Sequence, residues 1–298
     1  MATVRELRRR IRGISSIAQV TRAMQMVAAS KMRRAQEQAL STRAYAAKAW
    51  ELISHLAAQP GHEQLHPLLA ERHPPRSIGA VVITSDKGLC GAYNTNVLRT
   101  TLQFLKQATV PTSICAVGRK GRDFLIRHGA RVLAEFSLGS RHPTLMDTTP
   151  IARTVIEDFT RGICDQVWLI YTEFISTLTQ RPVVRPLLPI TPGRLRGSVL
   201  DRFLVDLPPR ATLEYIYEPN PHAILTVVLA RFVELQVHQA VLEAQASEHS
   251  ARMVAMRKAT ESAGELVDHL TLQYYRARQE AITREMLDIA GGAEALKG

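Results

Sequence analysis

The chain has 298 residues, of which 46% are hydrophobic and 22% are charged, a balance typical of a soluble protein with a sizeable core. It contains no run of 18 or more consecutive apolar residues, and its three cysteines, Cys90, Cys115 and Cys164, show no paired spacing. The sequence therefore argues against a membrane-spanning helix and against a disulfide scaffold. The formal net charge of +11 suits an acidic or anionic partner.

Residues 1–59 predict a single long N-terminal helix. Between Ala2 and Gln59 there is no proline and only one glycine, Gly13. At 1.5 Å per residue such a helix would be roughly 85 Å long, far beyond the ~30 Å diameter of a small domain. Its apolar residues follow one another in steps of three and four: Val4, Leu7, Ile11, Ile14, Ile17, Val20, Met24 and Val27.

Basic side chains crowd the first part of this helix, where Glu6 is the only acid before residue 35. The cations could meet nucleic-acid phosphates, an anionic membrane surface or an acidic protein, or could form an ordinary solvated face. Only 5% of the residues are aromatic, which argues against base-stacking platforms. The basic residues are Arg5, Arg8, Arg9, Arg10, Arg12, Arg22, Lys31, Arg33 and Arg34.

A proline-rich connector over residues 60–75 leads to a central domain over residues 76–214. This domain alternates apolar runs with helix-like segments, which predicts a mainly parallel sheet with helices on its faces. Strands are expected at residues 78–84, 113–117, 167–174 and 183–190, and helices at 94–107, between Gly118 and Gly129, and at 149–161.

Residues 215–298 predict a second long helix, since His222 to Ala290 contains no proline and one glycine, Gly264. A heptad seam runs along it for about four repeats, and its mean step of 3.5 residues implies a left-handed supercoil. The simplest arrangement is an antiparallel two-stranded coiled coil of the two terminal helices; the alternative is that each packs on the central domain as an ordinary amphipathic helix. The seam comprises Met253, Met256, Thr260, Ala263, Val267, Leu270, Tyr274, Ala277 and Ala281.

Motifs that would indicate catalysis are absent from the sequence. The segment SDKGLCG at residues 85–91 resembles a phosphate-binding turn, but both GxxxxGK[ST] and GxGxxG are missing. Neither HExxH nor GxSxG occurs, and His62, His66 and His73 lack partners at metal-ligand spacing. We predict no catalytic residue, no cofactor and no metal. Asp86 and Gly88 are interpreted as turn residues, the aspartate bonding nearby backbone and the glycine adopting a positive φ.

Four segments closely resemble the γ subunit family of the F-type ATP synthases, in the correct order and across essentially the whole chain. The family's fold is a long antiparallel coiled coil of both terminal helices with a central α/β domain, as expected above. The segments are VTRAMQMVAASKMRRAQ (20–36), TSDKGLCGAYN (84–94), ASEHSARMVAMR (246–257) and ARQEAITREMLDIAGGA (277–293).

The resemblance implies a central rotor subunit that is not itself catalytic. In this family the coiled coil enters a ring of three α and three β subunits, and the α/β domain lies at the foot with the ε subunit and the c-ring. Ion flow turns the rotor, which drives each β subunit through states that bind ADP and phosphate and release ATP. Peripheral attachment to the cytoplasmic face of a bacterial membrane, through the complex alone, is also implied. A basic coiled-coil nucleic-acid-binding protein is the alternative, and a stand-alone enzyme ranks third.

The resemblance also assigns rotor–β contact and coupling roles to individual residues. Lys87 occupies the basic position of SDKGLCG, where the family often has arginine, and is expected to meet an acidic loop of β. Arg278 and Gln279 resemble the pair that catches a β loop near the top of the shaft. Each candidate could instead be an ordinary helix-surface residue. The others matched by motif are Met24, Lys31, Arg33, Arg34, Arg252, Thr283 and Glu285.

Overall fold

A computed structural model describes residues 3–41, 48, 66–139, 143–190, 199 and 221–295. The chain divides into two compact units: Ala29–Arg252 forms one, and Met1–Ala28 together with Met253–Gly298 forms the other. The predicted boundaries at residues 59/60, 75/76 and 214/215 stay predictions. The first and last of these lie outside the described residues.

The larger unit is built on a sheet. Within the described residues five strands lie in the order β3-β2-β1-β4-β5. Strands β1 to β4 are parallel to one another and β5 runs antiparallel to β4, which confirms the predicted mainly parallel sheet. The elements are α1 (Val4–Ser41), β1 (Ile78–Ile83), α2 (Tyr93–Gln107), β2 (Thr112–Val117), α3 (Arg119–Arg127), β3 (Arg131–Phe136), α4 (Leu145–Thr160), β4 (Gln166–Phe174), β5 (Gln180–Leu188) and α5 (Pro221–Ala295).

Strand β3 was not expected from the sequence. Its side chains alternate between exposed and half-buried, with Leu133 44% exposed, because it lies at the edge of the sheet. The central strands β1 and β2 instead have four buried residues in a row, the pattern of a parallel sheet covered on both faces. The apolar-run criterion finds central strands and misses an edge strand of this kind.

Alternation along the strands divides the core between the two faces of the sheet. Val81 and Ile83 of β1 join a cluster with α4 and with the first part of α5, whereas Ala80 and Val82 join a cluster with α2 and α3. Successive residues of a strand point to opposite faces, so β1 supplies both cores. The face that carries α2 and α3 is therefore the one opposite α4 and α5.

The smaller unit pairs the start of α1 with the last part of α5. The hydroxyls of Thr21 and Thr260 lie 2.7 Å apart, and Leu7, fourteen residues before Thr21, is buried. A parallel pair would place Leu7 opposite residue 246, which belongs to the other unit, whereas an antiparallel pair places it opposite the half-buried Tyr274. The two helices are therefore antiparallel, as predicted.

The heptad seam predicted on α5 is confirmed residue by residue. Each of its nine members, from Met253 to Ala281, is buried or half-buried, while most of the residues between them are exposed. Met256, Ala263 and Leu270 are the most buried, with exposed fractions of 5%, 8% and 7%. The steps of three and four thus mark the face that packs on α1.

The seam predicted on α1 is partly wrong. Val4, Leu7, Ile11, Ile14 and Met24 are buried or half-buried, but Ile17, Val20 and Val27 are 57%, 59% and 55% exposed. After Ile14 the inner face continues through small residues, which keeps the steps of three and four. The prediction selected the neighbouring residues because they are more hydrophobic. Small side chains, however, are the ones that fit where two helices approach each other closely. The small inner-face residues are Ala18, Thr21 and Ala28.

One described helix segment, Leu225–Gly292, has the length and the apolar composition that a membrane crossing requires. Its apolar window is 72% buried inside the protein, which is the usual situation of a core helix.

Candidate functional site

The segment SDKGLCG forms an exposed loop between β1 and α2. Lys87 and Gly88 are exposed, and Leu89 is 64% exposed with a positive φ of 64°. Gly91 also has a positive φ, 57°, whereas Gly88 does not, so the predicted reason for glycine at position 88 was wrong. Positive φ is costly for leucine, so contacts on both sides must hold this turn.

Asp86 links this loop to two other loops at the same edge of the sheet. Its carboxylate accepts hydrogen bonds from the Arg119 backbone N–H at 3.0 Å, the Ser137 hydroxyl at 2.9 Å and the Gly139 N–H at 3.1 Å. The predicted turn aspartate therefore does bond backbone groups, but they lie 33 and 53 residues further along the chain. Asp86 fixes the loop relative to the start of α3 and the end of β3.

Asn94, in the first turn of α2, closes the loop from inside. Its side-chain oxygen accepts from the Ser85 N–H at 3.1 Å, and its amide nitrogen donates to the Ser85 hydroxyl at 2.7 Å and to the Cys90 sulfur at 3.3 Å. The Ser85 hydroxyl donates in turn to the Lys87 carbonyl at 2.7 Å. These bonds leave the Lys87 side chain outside on a constrained backbone.

The neighbouring GRKG segment is explained by packing. Gly118 has a φ of 98°, and a Cβ there would lie 2.3 Å from the Thr84 carbonyl oxygen. The Gly121 N–H donates to the Thr84 hydroxyl at 2.9 Å, and a Cβ at 121 would collide with the same side chain. These glycines let α3 start directly against the end of β1.

Arg252 joins α5 to the exposed loop. Its guanidinium donates to the Gly88 carbonyl at 3.2 Å and to the Glu248 carboxylate at 2.7 Å. Both members of the Arg252–Glu248 pair are largely buried, with side chains 12% and 15% exposed. Burial raises the pKa of Glu248, and the nearby charges of Arg252 and Lys31 oppose that rise. The structure therefore brings together two predicted residues, Arg252 and Lys31, with the backbone next to a third, Lys87.

The other predicted residues lie at the helix surfaces. Arg33 and Arg34 of α1 are exposed, and Met24 is half-buried beside the seam, in agreement with a packing role. In the smaller unit Arg278, Gln279, Thr283 and Glu285 are all exposed on α5. The Thr283 hydroxyl donates to the Gln279 carbonyl at 2.9 Å, a bond within the helix. This exposure is what contact residues for an outside partner require.

Glu248 is a candidate site residue that the sequence did not indicate. It lies four residues before Arg252 on α5, a spacing that places the two side chains on one face of a helix. That spacing was visible within ASEHSARM, but the burial that gives the pair its importance was not. Nor could the sequence show that Arg252 reaches a carbonyl 164 residues earlier in the chain.

The described residues do not offer a centre for covalent or metal chemistry. Cys90, Cys115 and Cys164 are free and buried, and burial raises the pKa of Cys115 and of Cys164 to about 12. Both thiols are therefore protonated at neutral pH and are poor nucleophiles. In the part of the chain that the structure describes, no three His, Cys, Asp or Glu side chains are grouped to hold a metal ion.

Comparisons with known proteins point in one direction. The family model described as ATP synthase matches residues 3–296. The ATP synthase gamma chain of Dehalococcoides mccartyi is 49% identical over 298 residues, covering 99% of this chain and 100% of that one. The ATP synthase gamma chain of Moorella thermoacetica is 44% identical over 297 residues, with complete coverage of both chains.

Solved structures agree with these relatives. A central stalk and c-ring structure of the Tetrahymena thermophila mitochondrial ATP synthase contains a chain that matches with a TM-score of 0.60 at 26% identity. The match covers 80% of this chain and 99% of that one. A chain of the Euglena gracilis mitochondrial ATP synthase matches with a TM-score of 0.66 over 98% of this chain, at 19% identity, which is a likeness of fold.

Proposed function

The chain belongs to the ATP synthase gamma-chain family, and from that premise we propose that its antiparallel helix pair is the shaft that turns inside a ring of catalytic subunits. As a gamma chain it is the rotor subunit of the complex and is not itself catalytic. The observation that carries the shaft assignment is the single seam of α5. From Met253 onwards one face of the helix packs on α1, and most residues on the other faces are exposed.

We infer that the partners around this shaft are three α and three β subunits. A rotating subunit can drive a change in β only through contacts that differ between conformations of β. Exposed polar residues on α5 fit that requirement, because each β subunit would meet them at a different angle of rotation. Arg278, Gln279, Thr283 and Glu285 are the candidates on this helix.

A second set of contacts is proposed at the exposed loop after β1. Lys87 would meet an acidic loop of β, with Arg33 and Arg34 facing acidic β surface as well. Support comes from the bonds of Asp86, Asn94 and Arg252, which fix the loop backbone and leave the Lys87 side chain in solvent. Arg252 acts in this scheme by holding the loop against α5, Lys31 acts through its charge near Glu248, and Met24 acts through its packing beside the seam.

The chain is part of a membrane-associated complex through its family. We propose that it lies at the cytoplasmic face of a bacterial membrane and has no membrane contact of its own. The larger unit would form the foot of the rotor, next to the ε subunit and the c-ring.

Reconstitution tests the proposal. The purified chain is mixed with the α and β subunits of an ATP synthase whose own gamma chain is a relative of this one, and complexes are isolated by size. The expected product contains one copy of this chain per three β subunits and hydrolyses ATP at a rate different from that of α and β alone. If the same α and β assemble with their own gamma chain but exclude this one, the shaft assignment fails.

A further inference from the structure

A groove lies between α2 and α3, on the face of the sheet opposite α4 and α5. Its volume is about 350 Å³. Leu98, Leu102 and Phe124 supply apolar side chains to it. Leu98 is 5% exposed and the other two are half-buried. Part of the apolar surface of Leu102 and Phe124 is therefore accessible to solvent in the groove.

Three cations line the same groove: Arg99 from α2, and Lys120 and Arg127 from α3. All three are exposed. Among the described residues, no carboxylate lies within ion-pair distance of any of them. The single acid on α3, Asp123, instead pairs with Arg122 at 2.8 Å, and α2 carries no acid. The groove therefore combines apolar surface with uncompensated positive charge.

The spacing of these residues follows the turns of a helix. Lys120, Phe124 and Arg127 succeed one another in steps of four and three, and so lie on one face of α3. On α2, Leu98 and Arg99 lie three and four residues after Thr95, and Leu102 lies four and three residues after them, so these four also share one face. Lys120 and Arg127 are two turns apart, roughly 10 Å along the axis at 1.5 Å per residue. A helix lying along the groove could therefore pair with both Lys120 and Arg127 if two of its acidic residues were also two turns apart.

We propose that this groove docks an acidic amphipathic helix of a protein partner. The apolar face of that helix fills the space beside Leu102 and Phe124, and acids on either side of the face pair with Arg99, Lys120 and Arg127. Apolar contact supplies most of the affinity, while the charges fix orientation and exclude basic helices. The docking site lies entirely within the larger unit, so the proposal does not depend on the shaft assignment.

The test uses the full chain and a fluorescently labelled 18-residue peptide, with leucines spaced three and four apart and flanked by glutamates. A matched peptide carries lysine in place of each glutamate. Fluorescence anisotropy is expected to show saturable binding of the glutamate peptide only. The double change Lys120→Glu with Arg127→Glu should weaken that binding by about tenfold, because it replaces two attractions with two repulsions. Leu102→Gln should also weaken it, although all the cations remain.

The control variant is Arg33→Glu with Arg34→Glu. These two cations are exposed on α1 in the same unit, outside the groove and on neither of its helices, and their reversal lowers the formal net charge by the same amount. It should change the affinity by less than about twofold, since distant exposed charges are screened by salt. Thermal melts confirm that each variant folds. Equal losses in the two double variants, an unchanged affinity in Leu102→Gln, or no saturable binding would overturn the proposal.

Discussion

Arg252 and Glu248 are the residues that link the exposed loop to α5. The pair sits between α5 and the Gly88 carbonyl, and the side chains are only 12% and 15% exposed. A buried pair of this kind contributes little net stability as a whole, but losing one member leaves the other charge without a partner.

Arg252→Met should therefore lower the free energy of unfolding of the larger unit by about 3 kcal/mol at neutral pH. Without Arg252 the pKa of Glu248 should rise further, because burial already raises it. Because the pKa of Glu248 is higher in the folded state than in the unfolded state, ionisation of this carboxyl destabilises the fold at pH values above the ordinary pKa of glutamate. At pH values below that pKa the carboxyl is protonated in both states and the penalty disappears. The stability difference between variant and parent should shrink as the pH falls towards that value, and denaturant melts at several pH values measure it.

The matched control for this change is Arg257→Met. Arg257 pairs with Glu261 at the same four-residue spacing on the same helix, but the side chains are 70% and 57% exposed. Loss of an exposed pair should cost less than about 0.5 kcal/mol. Comparable losses at 252 and 257 would mean that burial does not govern the first pair.

At the scale of single elements, α1 shows how small residues decide which face of a helix packs. Ala28 is 2% exposed, while its neighbour Val27 is 55% exposed. The apolar residues Ile17, Val20 and Val27 are left exposed by this packing.

Enlarging the two neighbours should therefore have opposite consequences. Ala28→Leu should destabilise the helix pair by about 1–3 kcal/mol, because it overfills a packed position. Val27→Leu should change the stability by less than about 0.5 kcal/mol, as expected for a surface site. Thermal unfolding followed by circular dichroism distinguishes the two. If Val27→Leu proved the more damaging, the inner face of α1 would have to be reassigned.

At the scale of the whole molecule, the smaller unit joins residues from opposite ends of the chain, and the last part of α5 is exposed on every side. From Ile282 to Gly292 all the side chains are exposed, including Met286, Leu287 and Ile289. This stretch buries none of its residues within the chain's own fold, so substitutions there report on partners.

Arg278→Ala with Gln279→Ala should lower coupled ATP turnover of the assembled enzyme by roughly fivefold, the loss expected on truncating a contact worth about 1 kcal/mol. Both side chains are exposed, so the melting temperature of the isolated chain should stay close to that of the parent. The control variant is Gln273→Ala with Arg276→Ala, which removes the same two residue types from exposed positions of the same helix. Equal turnover in the two variants would remove the coupling role of Arg278 and Gln279.

The sequence by itself determined the parts of the fold that depend on local periodicity. The heptad steps from Met253 to Ala281 marked the packed face of α5, and the apolar runs of β1, β2 and β4 marked the central strands. In each case the residue pattern and the burial pattern coincide, because a face that packs continuously must be apolar or small at a fixed period.

Only the tertiary structure decided the features that depend on residues far apart in the chain. The strand β3 lies at an edge and carries a weak apolar signal, and the inner face of α1 uses Ala18, Thr21 and Ala28 because the partner helix comes close there. The bond from Arg252 to Gly88 joins residues 164 positions apart. A sequence lists side chains in order, whereas burial, close approach and ion pairing arise when distant segments meet.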